Sequence, residues 1–305
     1  MSKLRAWLRL IRVAALPTAL ADVWVGAAAA GEFGSWNVIW LSLISLVLYT
    51  AGMVLNDVHD VEADRVSNPG RPLPSGEISV FVAGVAGFGL LLAAVGGAAM
   101  VGRGPLLVAG LLGLLVVSYN FALKSTALGP VNMGLCRALN VLLGMSAVPP
   151  ALLYEVLPAI KAAAPIFVYI VAITYVARRE TQSPGRGSFV VLSVGIVLAA
   201  ALVPFVMFVE AAIRLPGLHG GWAVPFSNLG VPFLGLMASA TLTALWVLWR
   251  AKNLRRVVTV ALVGIVPLQA LAALAHLRAH ALLAAGCIIL LLIPMLLLRR
   301  LSHIT

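Results

Sequence analysis

Asn56-Asp57-Val58-His59-Asp60-Val61-Glu62-Ala63-Asp64-Arg65, followed by Asn68-Pro69-Gly70-Arg71-Pro72, directly follows an apolar run over 36–56. The chain has ten acidic residues, and four of them (Asp57, Asp60, Glu62 and Asp64) fall within this stretch. Carboxylates beside a membrane are costly, so their concentration at a helix end implies a use. On a helical extension, 100° per residue puts Asp57, Asp60 and Asp64 within about 60° of one another, with Asn56 close by. Glu62 and His59 point elsewhere. Three carboxylates and an amide oxygen on one stripe are hard ligands suited to Mg²⁺, which bridges in turn to a diphosphate. The competing reading is a solvated helix end whose acids complement nearby arginines.

Working outward, the 305 residues are 62% hydrophobic and 10% charged, with a mean hydropathy of +1.07. Apolar stretches of spanning length recur from end to end, which predicts an all-α, polytopic integral membrane bundle. We read spans over 14–30, 36–56, 78–101, 105–121, 128–150, 162–178, 188–213, 229–250, 256–276 and 279–298. The final pair is the weakest, because His276-Leu277-Arg278-Ala279-His280 is a very short turn. No polar stretch is long enough for a separate soluble core, so 1–305 reads as one domain. The first run lacks a cleavage site followed by a polar region and reads as a retained span.

The net charge of +11 does not indicate nucleic acid. Most Lys and Arg fall in alternate loops, as the positive-inside rule requires when the N-terminus is cytoplasmic. That orientation puts the carboxylate cluster, the loop after Tyr119 and the loop after Arg178 at one cytoplasmic mouth. Cys136 and Cys287 lie in apolar runs and read as free packing thiols. His219, His276, His280 and His303 fall outside the mouth and read as interfacial.

Arg65, Arg71 and Lys124 supply the opposite charge. Arg71 sits in a Pro- and Gly-rich loop, and a guanidinium held on a stiff loop suits a phosphate. Within the spans, Asp22 is isolated in the first, while Arg137 and Asn140 lie about one turn apart in the fifth. An unpaired charge at that depth is expensive, so Asp22 and Arg137 are expected to pair or to face a cavity. Asn140 fits a packing hydrogen bond equally well.

The pattern at 56–65 and Asn68-Pro69-x-Arg71-Pro72-Leu73-x-x-Gly76 resembles the first signature of the UbiA superfamily of intramembrane prenyltransferases. Tyr119-Asn120-Phe121-Ala122-Leu123-Lys124, Leu128-Gly129-Pro130-Val131-Asn132 and Gly134 to Asn140 resemble its fourth-to-fifth helix region. The resemblance covers most of the chain. It implies about nine spans around a central cavity, and Mg²⁺-assisted ionisation of an isoprenyl diphosphate. The allylic cation then alkylates a small acceptor, aromatic or otherwise. By position, Asn56, Asp57, Asp60 and Asp64 would hold metal and Lys124 would contact diphosphate. Tyr119, Arg65, Arg137 and Asn140 are further substrate-binding candidates.

The family's second aspartate-rich motif is missing. Thr174-Tyr175-Val176-Ala177-Arg178-Arg179-Glu180-Thr181-Gln182 stands there, with Glu180 its only carboxylate. This implies one strong Mg²⁺ site, with Arg178 and Arg179 either neutralising diphosphate or serving only as positive-inside residues. The pattern most resembles the EboC-like branch, which implies a bacterial plasma membrane and a secondary-metabolite acceptor. The alternatives are an inactive or transport-like relative, and a lyase or phosphatase acting on a prenyl diphosphate.

Overall fold

The computed structural model describes residues 3–146, 156–178, 261–275 and 281–303, with isolated positions between 191 and 203 and at 258. Every regular element among them is helical. The span expected at 229–250, most of 188–213, Arg179, Glu180, His219, His276 and His280 lie outside the described residues.

Helix α1 (Lys3–Leu10) is short and two-faced. Its Ala6 and Leu10 are buried with Val54, Leu73 and Ile78, while Lys3 and Arg5 stay exposed. A basic face opposite an apolar one suits the membrane–water boundary. Arg12 then takes a left-handed conformation (φ 49°), the only non-glycine residue with positive φ among those described. A 3₁₀ turn (Val13–Ala15) leads into α2 (Leu16–Ala30), which has Pro17 in its first turn and Gly31 at φ 82° just past its end. Both positions suit those residues.

Helix α3 (Trp36–Ser67) has 32 residues. At 1.5 Å per residue it is about 48 Å long, against a hydrocarbon thickness of about 30 Å. Its last turns therefore project the Asn56–Asp64 stripe beyond the apolar zone. Helices α4 (Val80–Val101) and α5 (Arg103–Ser118) follow, and α5 continues into a π-helical turn at Tyr119–Leu123. Phe81, Val85, Leu92, Leu107 and Leu114 are exposed on α4 and α5, as befits lipid-facing surfaces. Next come α6 (Gly129–Met145), α7 (Val156–Ala177), α8 (Ile265–Ala275), α9 (Ala281–Leu290) and α10 (Leu292–His303).

Among the described residues, five helices are long and apolar enough to cross a membrane: Val13–Ala30, Trp36–Ser67, Val80–Val101, Arg103–Leu123 and Ile160–Ala177. These correspond to the first, second, third, fourth and sixth expected spans. The fifth is α6, which ends at Met145.

Helix α2 is the hub, packing against α3, α6, α7, α8, α9 and α10. Its small residues make this possible. A Cβ on Gly26 would stand 1.9 Å from Val141 O, and one on Gly144 would stand 2.0 Å from Val23 O. The α2 and α6 backbones thus touch through reciprocal glycines, the close approach that small residues permit in membranes. Cys136 is buried, Cys287 half-buried, and both are free thiols.

Candidate active site

A cavity of about 760 Å³ opens among α2, α3, α5, α6 and α7. Leu48, Leu112, Ile170 and Ile173 contribute an apolar wall, while Arg9, Arg12, Asn56, Tyr119 and Asn120 supply polar groups. The stripe on α3 stands at this end, and each of its aspartates has its own cation. Arg12 donates to Asp57 Oδ1 at 2.9 Å. Lys124 pairs with Asp60 and also donates to Asn56 Oδ1 at 2.8 Å. Arg71 donates to Asp64 Oδ2 at 2.5 Å, and Asn68 Nδ2 donates to Asp64 Oδ1 at 3.2 Å. Asn56 Nδ2 links Asp57 Oδ1 (3.2 Å) to Asp60 Oδ2 (3.3 Å).

The expected convergence is therefore partial. The aspartates share a helix, but no group of three or more His, Cys, Asp or Glu is arranged to hold a metal ion among the described residues. Asp57 and Asp60 stay joined through Asn56, whereas Asp64 turns to the Asn68–Arg71 loop. The donor chemistry nevertheless fits Mg²⁺ at Asn56, Asp57 and Asp60. The Lys124 ammonium already stands as a cation between the Asn56 amide oxygen and the Asp60 carboxylate, where hard oxygens are available.

The π turn explains how Lys124 gets there. One wider turn at Tyr119–Leu123 re-aims the end of α5, and such turns often mark functional sites. Asn132 Nδ2 ties α6 to Ser118 Oγ at 2.8 Å where the turn begins. Asn120 Nδ2 donates to Gly52 O at 3.3 Å, while its buried Oδ1 has no partner among the described residues.

Arg137 and Asn140 also line the cavity, but both are engaged within the protein. Arg137 donates to Asp22 Oδ1 (3.0 Å), Thr18 O (2.8 Å) and Thr18 Oγ1 (3.2 Å). Its Nε stands 2.9 Å from Asp22 Oδ2 as an ion pair without hydrogen-bond alignment. Asn140 Nδ2 donates to Ala19 O (2.9 Å) and Asp22 Oδ2 (3.1 Å), and its Oδ1 accepts from Ser45 Oγ (2.7 Å). Gln269 Nε2 closes the set onto Asp22 Oδ1 at 2.5 Å. Asp22 is fully buried, and the clasp joins α2, α3, α6 and α8.

Two other candidates stand apart from the cavity. Arg65 pairs with Glu62 one turn back, and both are exposed. Arg178 donates to the carbonyls of Thr126 (2.5 Å) and Ser125 (2.7 Å), bracing the loop after Lys124 instead of facing the aspartates. Arg9 and Arg12 were hidden among the basic residues that any inside-facing terminus carries, and nothing local in the sequence distinguished them.

The comparisons agree with this architecture. Residues 14–260 match the model of the UbiA prenyltransferase family. A digeranylgeranylglyceryl phosphate synthase of Methanopyrus kandleri is 29% identical over 266 residues, covering 84% of this chain and 95% of the relative. Its counterpart from Ignicoccus hospitalis is 36% identical over 133 residues, covering 43% of each. Among solved structures, a UbiA homolog from Aeropyrum pernix superposes with a TM-score of 0.64 at 17% identity, covering 85% of this chain and 96% of that one. A UbiA homolog from Archaeoglobus fulgidus bound to GPP and Mg²⁺ gives 0.61 at 16% identity, covering 89% and 98%. With its matched residues spanning most of its length, the chain belongs to the UbiA prenyltransferase family and is an integral membrane enzyme of that class.

Proposed function

We propose that the protein transfers a prenyl group from an isoprenyl diphosphate to a hydroxyl of an amphiphilic, glyceryl phosphate-type acceptor, with Mg²⁺ as cofactor. One observation carries this reading. Asn56 belongs to the wall of the apolar cavity and, in the same place, to the Asn56–Asp60–Lys124 cluster. A diphosphate at that cluster would have its prenyl chain directed into the cavity, shielded from water.

Asn56, Asp57 and Asp60 would hold the ion, and a bound Mg²⁺ would neutralise charge on the departing diphosphate. Lys124 would share that charge from the end of α5, as cationic clamps do. Asp64 keeps Arg71 in position. Arg178 acts one step back, holding the Ser125 and Thr126 carbonyls so that Lys124 stays over α3. Arg179 and Glu180 remain candidates from sequence alone. Tyr119 and the Leu112–Ile173 side of the cavity enclose the reacting carbon. As its bond to the diphosphate breaks, a new bond forms to the acceptor oxygen, whose proton leaves with the released diphosphate.

The acceptor class is taken from the relatives. A synthase of digeranylgeranylglyceryl phosphate makes a glyceryl phosphate with two such prenyl chains, and the Methanopyrus kandleri protein aligns over nearly its whole length. These names favour that branch over the EboC-like one, and a phosphorylated lipid over an aromatic or secondary-metabolite acceptor. The named relatives are archaeal and lend no support to a specifically bacterial membrane. The basic loops favour a cytoplasmic mouth.

The test is purified protein in lipid nanodiscs with geranylgeranyl diphosphate, geranylgeranylglyceryl phosphate and Mg²⁺. Doubly prenylated product that requires all three is the expected result. Equal diphosphate release without acceptor would point instead to the cleavage reading.

A further inference from the structure

We infer that Arg9 and Arg12 form, with Arg71, a second anion site that binds a phosphate monoester headgroup beside the diphosphate cluster. A smaller cavity of about 300 Å³ lies at the outer end of α3. Its walls include Arg9, Arg12, Arg71, Asn68 and Asp57. Three guanidinium groups thus line one small cavity. Arginine forks match phosphate oxygens in geometry as well as charge.

The three guanidinium groups are held but not exhausted. Arg9 grips Glu77 through Nη2 at 2.6 and 2.7 Å, and its buried Nε has no partner among the described residues. Arg12 reaches Asp57 through one terminal nitrogen, and a guanidinium offers five N–H donors. Its backbone is left-handed, at φ 49°. For a β-substituted residue such a conformation is strained, and strain kept in a fold tends to serve a site. Here the bend lets one short segment carry both Arg9 and Arg12 to the same place.

Arg9 and Arg12 also belong to the wall of the large cavity, so the two spaces meet. The small cavity is on the Arg12 side of α3, whereas Lys124 approaches Asn56 and Asp60 from α5. An amphiphile could thus place its phosphate among the arginines and its chain in the apolar cavity, while the diphosphate stays near Lys124. This rests on the proposed reaction only for the identity of the ligand as acceptor. Phosphate could also come from the donor, and the experiment separates the two sources.

Glycerol phosphate is the soluble probe. Its binding to the full-length protein is measured by calorimetry without Mg²⁺, with inorganic phosphate in parallel. Transfer kinetics are then measured for phosphorylated and dephosphorylated acceptors. The expected result is saturable binding of glycerol phosphate, weakened at least about tenfold in both Arg9→Gln and Arg12→Gln. Arg9→Gln should also raise the acceptor KM by a similar factor, lower the preference for the phosphorylated acceptor, and leave the donor KM within about twofold. In the wild-type protein, glycerol phosphate should compete with acceptor and not with isoprenyl diphosphate, a readout independent of how the variants fold. Competition with the donor instead, or unchanged binding in correctly folded Arg9→Gln, overturns the inference. Binding that follows Arg9 in a protein without transferase activity keeps this site and overturns the proposed acceptor reaction.

Discussion

Among the described residues, two sets of ion pairs invite comparison, one deep between helices and one at the end of α3, and burial gives them opposite characters. In the deep set, Asp22 is fully buried and receives donors from Arg137, Asn140 and Gln269. At the rim, Asp57 and Asp64 are buried, but their partners Arg12 and Arg71 are 42% and 37% exposed. Each rim aspartate also has a different cation. Water at the rim lowers the cost of parting these pairs, and a metal or a phosphate can replace either member. Deep in the bundle no such substitute exists. The same chemistry thus fastens helices in one place and leaves exchangeable ligands in the other.

The largest effect should come from breaking the deep set. Asp22→Ala leaves the Arg137 cation uncompensated and should cost about 3–5 kcal/mol in unfolding free energy. An Asp22→Leu/Arg137→Met double replacement should recover most of that, because both charges leave together. Thermal and denaturant unfolding in detergent would measure both. A single replacement costing under about 1 kcal/mol would erase the contrast, since that is the range of exposed pairs. Next in size is Gly144→Ala. Its Cβ would meet the Val23 carbonyl, which is backbone and has little room to give. Overpacking of this kind costs about 1–3 kcal/mol, and the displaced α2 would loosen the Asp22–Arg137 contact. A stability equal to that of the parent would show that α2 and α6 can slide apart freely.

The two sets were not equally legible in the sequence. The helices followed from apolar runs alone, and the rim from four acids in eight positions of a chain with ten. The Asp22–Arg137 pair was anticipated from the cost of isolated charge, though not its closure by Gln269. That residue is neutral, sits in an apolar run and lies 247 positions from Asp22, so neither cost nor spacing marks it. Arg65 looked like part of the rim because of its neighbours, but on a helix it meets Glu62 and faces water. Arg178 could be read from sequence either as a diphosphate clamp or as a positive-inside residue, and the bracing of nearby loop carbonyls by its donors is neither of these. Arg12 was invisible because its position depends on a left-handed bend that no residue type announces. Side-chain cost is written in composition, whereas backbone bends and neutral partners emerge only in three dimensions.

At the rim, Asp60→Asn should separate function from stability. Asp60 and Lys124 are both part-exposed, at 25% and 29%. Losing the pair should change stability by less than about 1 kcal/mol. Mg²⁺-dependent diphosphate release should nevertheless disappear, because a hard anionic ligand has been replaced by a neutral amide. Activity assays and unfolding curves on the same preparation would read both. A loss of stability comparable to that of Asp22→Ala would place this pair with the deep set after all.

The smallest effect lies at the outermost pair. Arg9 Nη2 donates to both carboxylate oxygens of Glu77, and this hydrogen bonding, more than the attraction of the Arg9 charge, keeps the Glu77 carboxyl below its ordinary pKa. A carboxyl with a depressed folded pKa favours the folded contact above its unfolded pKa, and the benefit fades as pH falls through the folded value. Docking of α1 should therefore be complete at neutral pH and weaken only under acid conditions. A nitroxide on Leu4→Cys, an exposed position of α1, would report this as rising mobility on acidification. In Glu77→Gln the label should already be more mobile at pH 7 and should respond less to acid. An identical acid response in the parent and in Glu77→Gln would assign the titration to another group, and Glu77 would then be a bystander to the placing of Arg9.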